Sequence, residues 1–419
     1  MKYLSTKDSN SSFLLSECLR LGQAENKGLF IPKTFPKFLE DFKKDSLPVF
    51  ANNFLKSFFK DDLLEGHLES ICNKAFNFEL KLNYFENSLT FLELYHGPTA
   101  SFKDFGARFL AECLKHIGEK LTILVATSGD TGGAVASAFY KMPNIKVVLL
   151  YPAGKVSPLQ EKQLTCWGEN VISLKVDGNF DDCQSLVKEA FLNKSLSEKF
   201  NLTSANSINI GRILAQMSYH AYSAYSYYAV NKVKPTLIIP TGNMGNSLSS
   251  LWAKKMGAPI EKVILATNAN QTIPNSFKNK IYKGEKTIQT LANAMDVGNP
   301  SNMERFLSQF GLNDKTFKYV KSLSVSDLEI QKAIKDCFNE FNKIICPHSA
   351  TAFFVSQNFN KKDLLISETA HPAKFREIML DVLGLNDIEM PEGLKELYNK
   401  KTIVQNISPQ LSELTKKLE

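Results

Sequence analysis

The chain has 419 residues, of which 43% are hydrophobic and 22% charged, and a formal net charge of +7. That length suggests two or three domains at about 150 residues each, and the balance is that of an ordinary folded protein with several cores. The positive charges form no run of five or more, which argues against a nucleic-acid-binding arm. No apolar run reaches the roughly 18 residues that would span a membrane.

The first 90 residues carry helical stretches such as Phe38–Phe42 and Asn53–Phe59 and few strand signals. They read as a helical N-terminal domain, residues 1–90. From Phe91 the pattern changes. Short runs rich in Val, Ile and Leu are each followed by a Gly- or Pro-marked loop and a helical stretch. The expected strands are Phe91–Tyr95, Thr122–Ala126, Lys146–Tyr151, Val171–Val176, Thr236–Pro240, Lys262–Thr267 and Asp363–Ser367. Continuous apolar runs alternating with helices imply parallel sheets covered on both faces, an α/β fold. The expected domains are 91–235 and 236–419. Asn268 to Asp314 is polar and loop-rich, with a boundary or mobile region expected around Thr287–Asn302, and the stretch from Gly384 reads as charged and peripheral.

The seven cysteines, Cys18, Cys72, Cys113, Cys166, Cys183, Cys337 and Cys346, are odd in number and form no C-x-x-C pair. Free thiols in a reducing compartment are the simplest account. Cys346 and His348 are two ligands, too few for a metal site. Met1 to Ser9 lacks the apolar core of a signal peptide, so a cytoplasmic location is expected.

Four loops carry candidate chemistry. Thr127-Ser128-Gly129-Asp130-Thr131-Gly132-Gly133 follows one expected strand and opens a helix. Free backbone N–H groups at a positive helix end suit an anion there, although a plain capped turn has the same composition. Pro240-Thr241-Gly242-Asn243-Met244-Gly245-Asn246 is a second such turn, and it matches neither a Walker loop nor a dinucleotide fingerprint. Two glycine-rich turns at the carboxyl ends of strands lie where α/β proteins bind ligands. The third loop, His96 to Gly106, places Lys103 between Phe102 and Phe105. An amine among apolar groups loses affinity for its proton and becomes able to form a Schiff base with an aldehyde. A surface lysine at a helix start reads the same way by itself. The fourth loop is Ser367 to Phe375, where His371 before Pro372 could simply cap a strand end.

Together these loops resemble the threonine synthases, enzymes of the tryptophan synthase β-subunit fold that use pyridoxal phosphate. The resemblance runs from Met1-Lys2-Tyr3-Leu4-Ser5-Thr6 to about Phe375. It rests on HGPTASFKDFG at 96–106, ATSGDTGGAVA at 126–136, YPAGKVSPLQEKQ at 151–163, SANSINIGR at 204–212 and TAHPAKF at 369–375. It implies pyridoxal-phosphate fold type II, with two parallel-sheet α/β domains besides the N-terminal one.

The resemblance also implies roles. Lys103 matches the lysine that binds the cofactor. Gly242, Asn243, Met244, Gly245 and Asn246 match the loop that holds its phosphate, by backbone N–H groups and by the side chains of Asn243 and Asn246. Asp130 matches a residue near the cofactor ring and its 3′-oxygen, and Thr369 one that faces the pyridine nitrogen. Ser128 to Thr131 resembles the turn that grips the substrate carboxylate. Lys155, Asn206, Ser207, Asn209 and Arg212 are the candidates for the substrate phosphate, with Arg212 first because its planar fork suits that group. Two departures are small: Asp130 stands where a plant-like branch carries Asn, and Met244 where Phe is usual. The implied reaction converts O-phosphohomoserine and water into threonine and phosphate. Apart from the resemblance, a monomer is the preferred expectation and no metal is expected. A related phospholyase of the same fold, or an inactive homologue that senses a small molecule, would share most of these motifs.

Overall fold

The computed structural model describes all residues except 39–41, 43–44, 86–88 and 360–361. In it the apolar runs become the strands of two largely parallel sheets. The larger sheet has the order Val320–Ser324, Val263–Thr267, Thr236–Pro240, Leu364–Glu368, Leu89–Glu93 and Lys81–Tyr84. Its strands pair in parallel except Lys81–Tyr84, an antiparallel edge. The smaller sheet has the order Gln405–Ile407, Val171–Val176, Ile145–Pro152, Leu121–Ala126 and Leu202–Ser204, parallel throughout. Central strands such as Leu121–Ala126 and Leu364–Glu368 are buried along their whole length, as strands covered on both faces must be.

Helices complete the layers. In Lys103–Ile117 the side chains of Phe105, Phe109 and Cys113 recur at helical spacing and are buried. The helix stops at Gly118, whose φ of +76° is left-handed and whose N–H reaches the Leu114 carbonyl. Ile210–Asn231 is the longest helix described, 22 residues, and it packs against both Lys103–Ile117 and Gly245–Met256. It is the wall shared by the loops that matter below.

Several expectations need correction. The strand expected at Phe91–Tyr95 is Leu89–Glu93, because its hairpin pairing with Lys81–Tyr84 ends at Glu93. That strand belongs to the larger sheet, so a domain border at 90/91 would cut through an element. The N-terminal segment is not purely helical. Beside helices Leu47–Phe59 and Leu68–Ala75 it holds a three-stranded antiparallel sheet of Asp8–Phe13, Tyr3–Ser5 and Phe30–Pro32. Two of those strands are three residues long, and Asp8–Phe13 is mostly exposed and polar, so no apolar run marks them. Phe38 and Phe42 are not helical, and the rest of that expected stretch lies outside the described residues.

The C-terminus is not peripheral either. Gln405–Ile407 extends the smaller sheet, and helix Leu411–Leu418 buries Leu414 and Leu418 against Cys183, Leu186 and Ala190. The chain therefore ends within the unit built on the smaller sheet, and the division at 235/236 holds only for the strands before Gln405. No helix among the described residues is long and apolar enough to cross a membrane.

Candidate active site

All four candidate loops leave the carboxyl ends of parallel strands, where ligands bind in open α/β sheets. The two sheets bring them together. Phe102 donates its backbone N–H to Thr369 O, and His371 donates to Ala100 O, which ties the first loop to the last.

Lys103 opens helix Lys103–Ile117, with its ammonium 4.6 Å from the centre of the Phe102 ring. Burial pulls its pKa down from the ordinary lysine value to about 8. Asp130 opposes that shift, while Arg212 and Lys374 add to it. No ion pair holds Lys103 among the described residues, and with the lowered pKa roughly a tenth of the amine is neutral at pH 7, far more than for an ordinary lysine.

The loop before helix Asp130–Phe139 is shaped by Thr127, whose Oγ1 accepts from the backbone N–H of Gly129 (3.0 Å) and Gly132 (2.8 Å). Gly129 has φ +136° and lies against Gln160, so a side chain there would be strained and would clash. Thr127 takes the N–H of Gly132, but Gly129 before the helix offers no side-chain cap to the N–H groups ahead of it, and Ser128 and Thr131 at its start are partly exposed. The free N–H groups and hydroxyls suit a carboxylate. Asp130 is buried, yet burial does not neutralise it. Lys374, Lys103 and His348 outweigh that penalty and lower its pKa to about 2.

The second glycine-rich loop ends at Met244, held at φ +60°, and helix Gly245–Met256 starts with no side-chain cap. Gly242 packs against the backbone of Met295 too closely for a Cβ. Asn246 Oδ1 accepts from Tyr219 Oη (2.6 Å) and His220 Nε2 (2.8 Å), while its Nδ2 is buried without a partner. A buried donor beside an uncapped helix N-terminus is what a phosphate would satisfy. This part of the chain thus fits the cofactor that the resemblance implies. Two other side chains of the loop are engaged within the protein. Asn243 spends its Oδ1 on Ser301, and the Met244 side chain is buried in the main core.

Of the residues expected at the substrate phosphate, Arg212 is the one the structure favours. It is buried, has no ion pair among the described residues, and its Nε has no partner, although Nη1 donates to Ala205 O at 2.6 Å. Burial lowers its pKa to about 10, with Asp104 opposing. Asn206 donates to Ala126 O, and Ser207 packs on Gly245, so both line the junction of two loops. Asn209 is a correction. Its Nδ2 donates to Leu19 O and Ser204 O, and its Oδ1 caps helix Ile210–Asn231, which leaves no free group for a ligand. Lys155 is exposed on the turn after strand Ile145–Pro152. Thr369 is buried and is held by its N–H to Ser349 Oγ at 3.1 Å. His371 caps the short helix Pro372–Phe375 through Nδ1.

Sequence reasoning missed several residues. Lys374 reaches Asp130, as treated below. Arg305 is fully buried and donates to Phe30 O, Ser207 O, Ile208 O and Asn302 Oδ1, while Asn302 donates to Asn243 O. This chain joins the N-terminal segment to two of the loops. Nothing in its local sequence marks Arg305. Lys374, between Ala373 and Phe375, carries the same apolar signature as Lys103.

Comparison with known proteins agrees with this geometry. Residues 81–368 match the family model for pyridoxal-phosphate dependent enzymes, and residues 2–76 match the threonine synthase N terminus. A threonine synthase of Buchnera aphidicola is 38% identical over 99% of this chain and 98% of its own. The crystal structure of Escherichia coli threonine synthase superposes with a TM-score of 0.91 at 35% identity, covering 100% of this chain and 99% of that one. The pyridoxal-phosphate-bound threonine synthase of Brucella melitensis gives 0.90 at 30% identity, covering 100% and 98%.

Proposed function

The chain belongs to the threonine synthases, pyridoxal-phosphate-dependent enzymes, and on that footing we propose that it converts O-phosphohomoserine and water into threonine and phosphate, with Lys103 as the residue that attaches the cofactor. One observation carries the assignment of Lys103: it is a lysine with no ion pair among the described residues and a lowered pKa, where the loops from both sheets meet.

The remaining roles are those the resemblance implies, supported by the geometry of the loops. The N–H groups at the start of helix Gly245–Met256 and the free Nδ2 of Asn246 hold the cofactor phosphate. The buried Thr369 would face the pyridine nitrogen, the role that the resemblance implies for it. Ser128, Thr131 and the backbone between them orient the substrate carboxylate, and Arg212 takes the substrate phosphate. When bound, the cofactor supplies an electron sink for the charge left at the substrate Cα. Lys103, freed by the substrate amine, removes the Cα proton and is placed to serve Cβ and Cγ in turn. A second proton leaves from Cβ as phosphate leaves from Cγ; Cγ then gains a proton, water adds at Cβ, and Cα is reprotonated. Atoms then balance as substrate plus water giving threonine plus phosphate.

Every loop of the proposed site comes from one chain, which suits a monomer. Seven free, buried cysteines suit the cytoplasm. Incubation with O-phosphohomoserine tests the reading: threonine and phosphate in equal amounts support it, and phosphate with a 2-oxoacid would replace it with a lyase.

A further inference from the structure

Lys374 is the most buried lysine near the site, with 1% of its surface exposed. It comes from the loop after the larger sheet's strand Leu364–Glu368, and it reaches the residue that begins helix Asp130–Phe139, after a strand of the smaller sheet. Its Nζ lies 2.8 Å from Asp130 Oδ1 and donates to Thr99 O at 2.9 Å. Its own carbonyl accepts from Ser157 Oγ, and Gln160 Nε2 donates to the same Asp130 oxygen at 3.0 Å. One side chain thus ties its own loop to two others, and among the described residues its ammonium contacts a single carboxylate.

That carboxylate is also the acidic group acting on Lys103. The charged and titratable groups around this centre are Lys103, Lys374 and Arg212 on the basic side and Asp130 on the acidic side. His348 and Cys346 face Asp130 from the start of helix Pro347–Ser356, Asp104 faces both Arg212 and Lys374, and His371 faces Lys374 from its own loop. Two ammonium groups compete for one carboxylate, and the distances show which has it: Lys374 is in contact and Lys103 is not.

We infer that Lys374 is a positioning residue which occupies Asp130 and so keeps that carboxylate from capturing the Lys103 amine, leaving Lys103 free to give up and take back a proton. This rests on the role proposed above for Lys103. Without Lys374, Asp130 would keep a single basic neighbour of this kind, and the protonated form of Lys103, or of its linkage to the cofactor, would gain stability.

The test is a pH titration of the visible absorption of the cofactor-loaded protein. Lys374→Met should raise the titration midpoint by about one pH unit or more, a tenfold change in proton affinity. Lys374→Arg, which keeps the charge, should stay near the parent. Asp130→Asn should lower the midpoint, and it decides the matter if Lys374→Met does not fold. An unmoved midpoint in Lys374→Met with the band intact, or in Asp130→Asn, overturns the inference. A purely structural lysine would change yield and melting temperature but not the midpoint. Failure of the Lys103 reading would look different, because the unaltered protein would then show no visible band.

Discussion

Tyr219 donates its hydroxyl to Asn246 Oδ1 at 2.6 Å, and His220 Nε2 shares that oxygen at 2.8 Å, so the amide is locked with its buried Nδ2 left unpartnered among the described residues. His220 can play this part because burial lowers its pKa to about 4 and keeps the ring neutral, with one nitrogen donating. Asn246→Ala should weaken cofactor binding about tenfold, the loss of one hydrogen bond to a charged group. Tyr219→Phe should do so by less, since His220 still orients the amide. Equilibrium dialysis of the cofactor checks both; unchanged affinity in Asn246→Ala would remove that residue from the phosphate site.

Gly106 and Arg212 make a second linked pair. A Cβ on residue 106 would lie 2.6 Å from Arg212 Nε. Gly106→Ala should therefore push the guanidinium aside and raise KM for O-phosphohomoserine while cofactor content stays normal. Arg212→Met should raise KM further, on the order of a hundredfold, as expected for loss of a charged partner in a buried site. Steady-state kinetics with both variants is the check.

Glu368 gives a pH prediction. It is buried directly across the sheet from Glu93, and Lys343 bridges the two at 3.1 and 2.6 Å. Burial raises the Glu368 pKa to about 7, with Lys343 only partly offsetting it and Glu93 adding to it. The Glu93 carboxyl, bonded to His96 and Lys343, falls to about 2 despite its burial. A carboxyl whose folded pKa is raised gives stability that is present below its unfolded value and lost as pH rises toward 7. Glu368→Gln should lose less stability than the parent between pH 5 and 8, by a few degrees of melting temperature. Parallel melting curves would argue against the strained carboxyl.

The C-terminal segment should matter for stability. Removal of residues 400–419 strips the edge strand from the smaller sheet and uncovers Leu174, Val176 and Leu186, which pack with Leu414 and Leu418. Each leucine taken out of the core is worth about 1.5–3 kcal/mol. The truncated protein should melt well below the full chain in calorimetry; an unchanged melting temperature would mean the segment is an ornament.

Local chemistry decides what could be read in advance. Val171–Val176 and Thr236–Pro240 have the limits their apolar runs indicate, and the loops after such runs hold Lys103, Asp130, Asn246 and Thr369. Leu202–Ser204 and Gln405–Ile407 are too short to make a pattern, and their pairing is set by strands more than 50 residues away in sequence. Arg305 and Lys374 were hidden for the same reason: their partners are distant in the chain. Asn209 looked like a ligand because a polar residue near an arginine can be one. Only the fold shows that its amide holds the start of a helix.

The central claim is that Lys103 carries pyridoxal phosphate and works on O-phosphohomoserine. The direct measurement is the visible absorption of the purified protein beside Lys103→Ala, each followed after O-phosphohomoserine is added. The account predicts a band in the parent that changes as threonine and phosphate appear. In Lys103→Ala the parent's band should be missing and turnover lost by at least about a thousandfold, the scale of losing both an attachment point and a proton carrier. Threonine formation by Lys103→Ala at a rate near the parent's would contradict it.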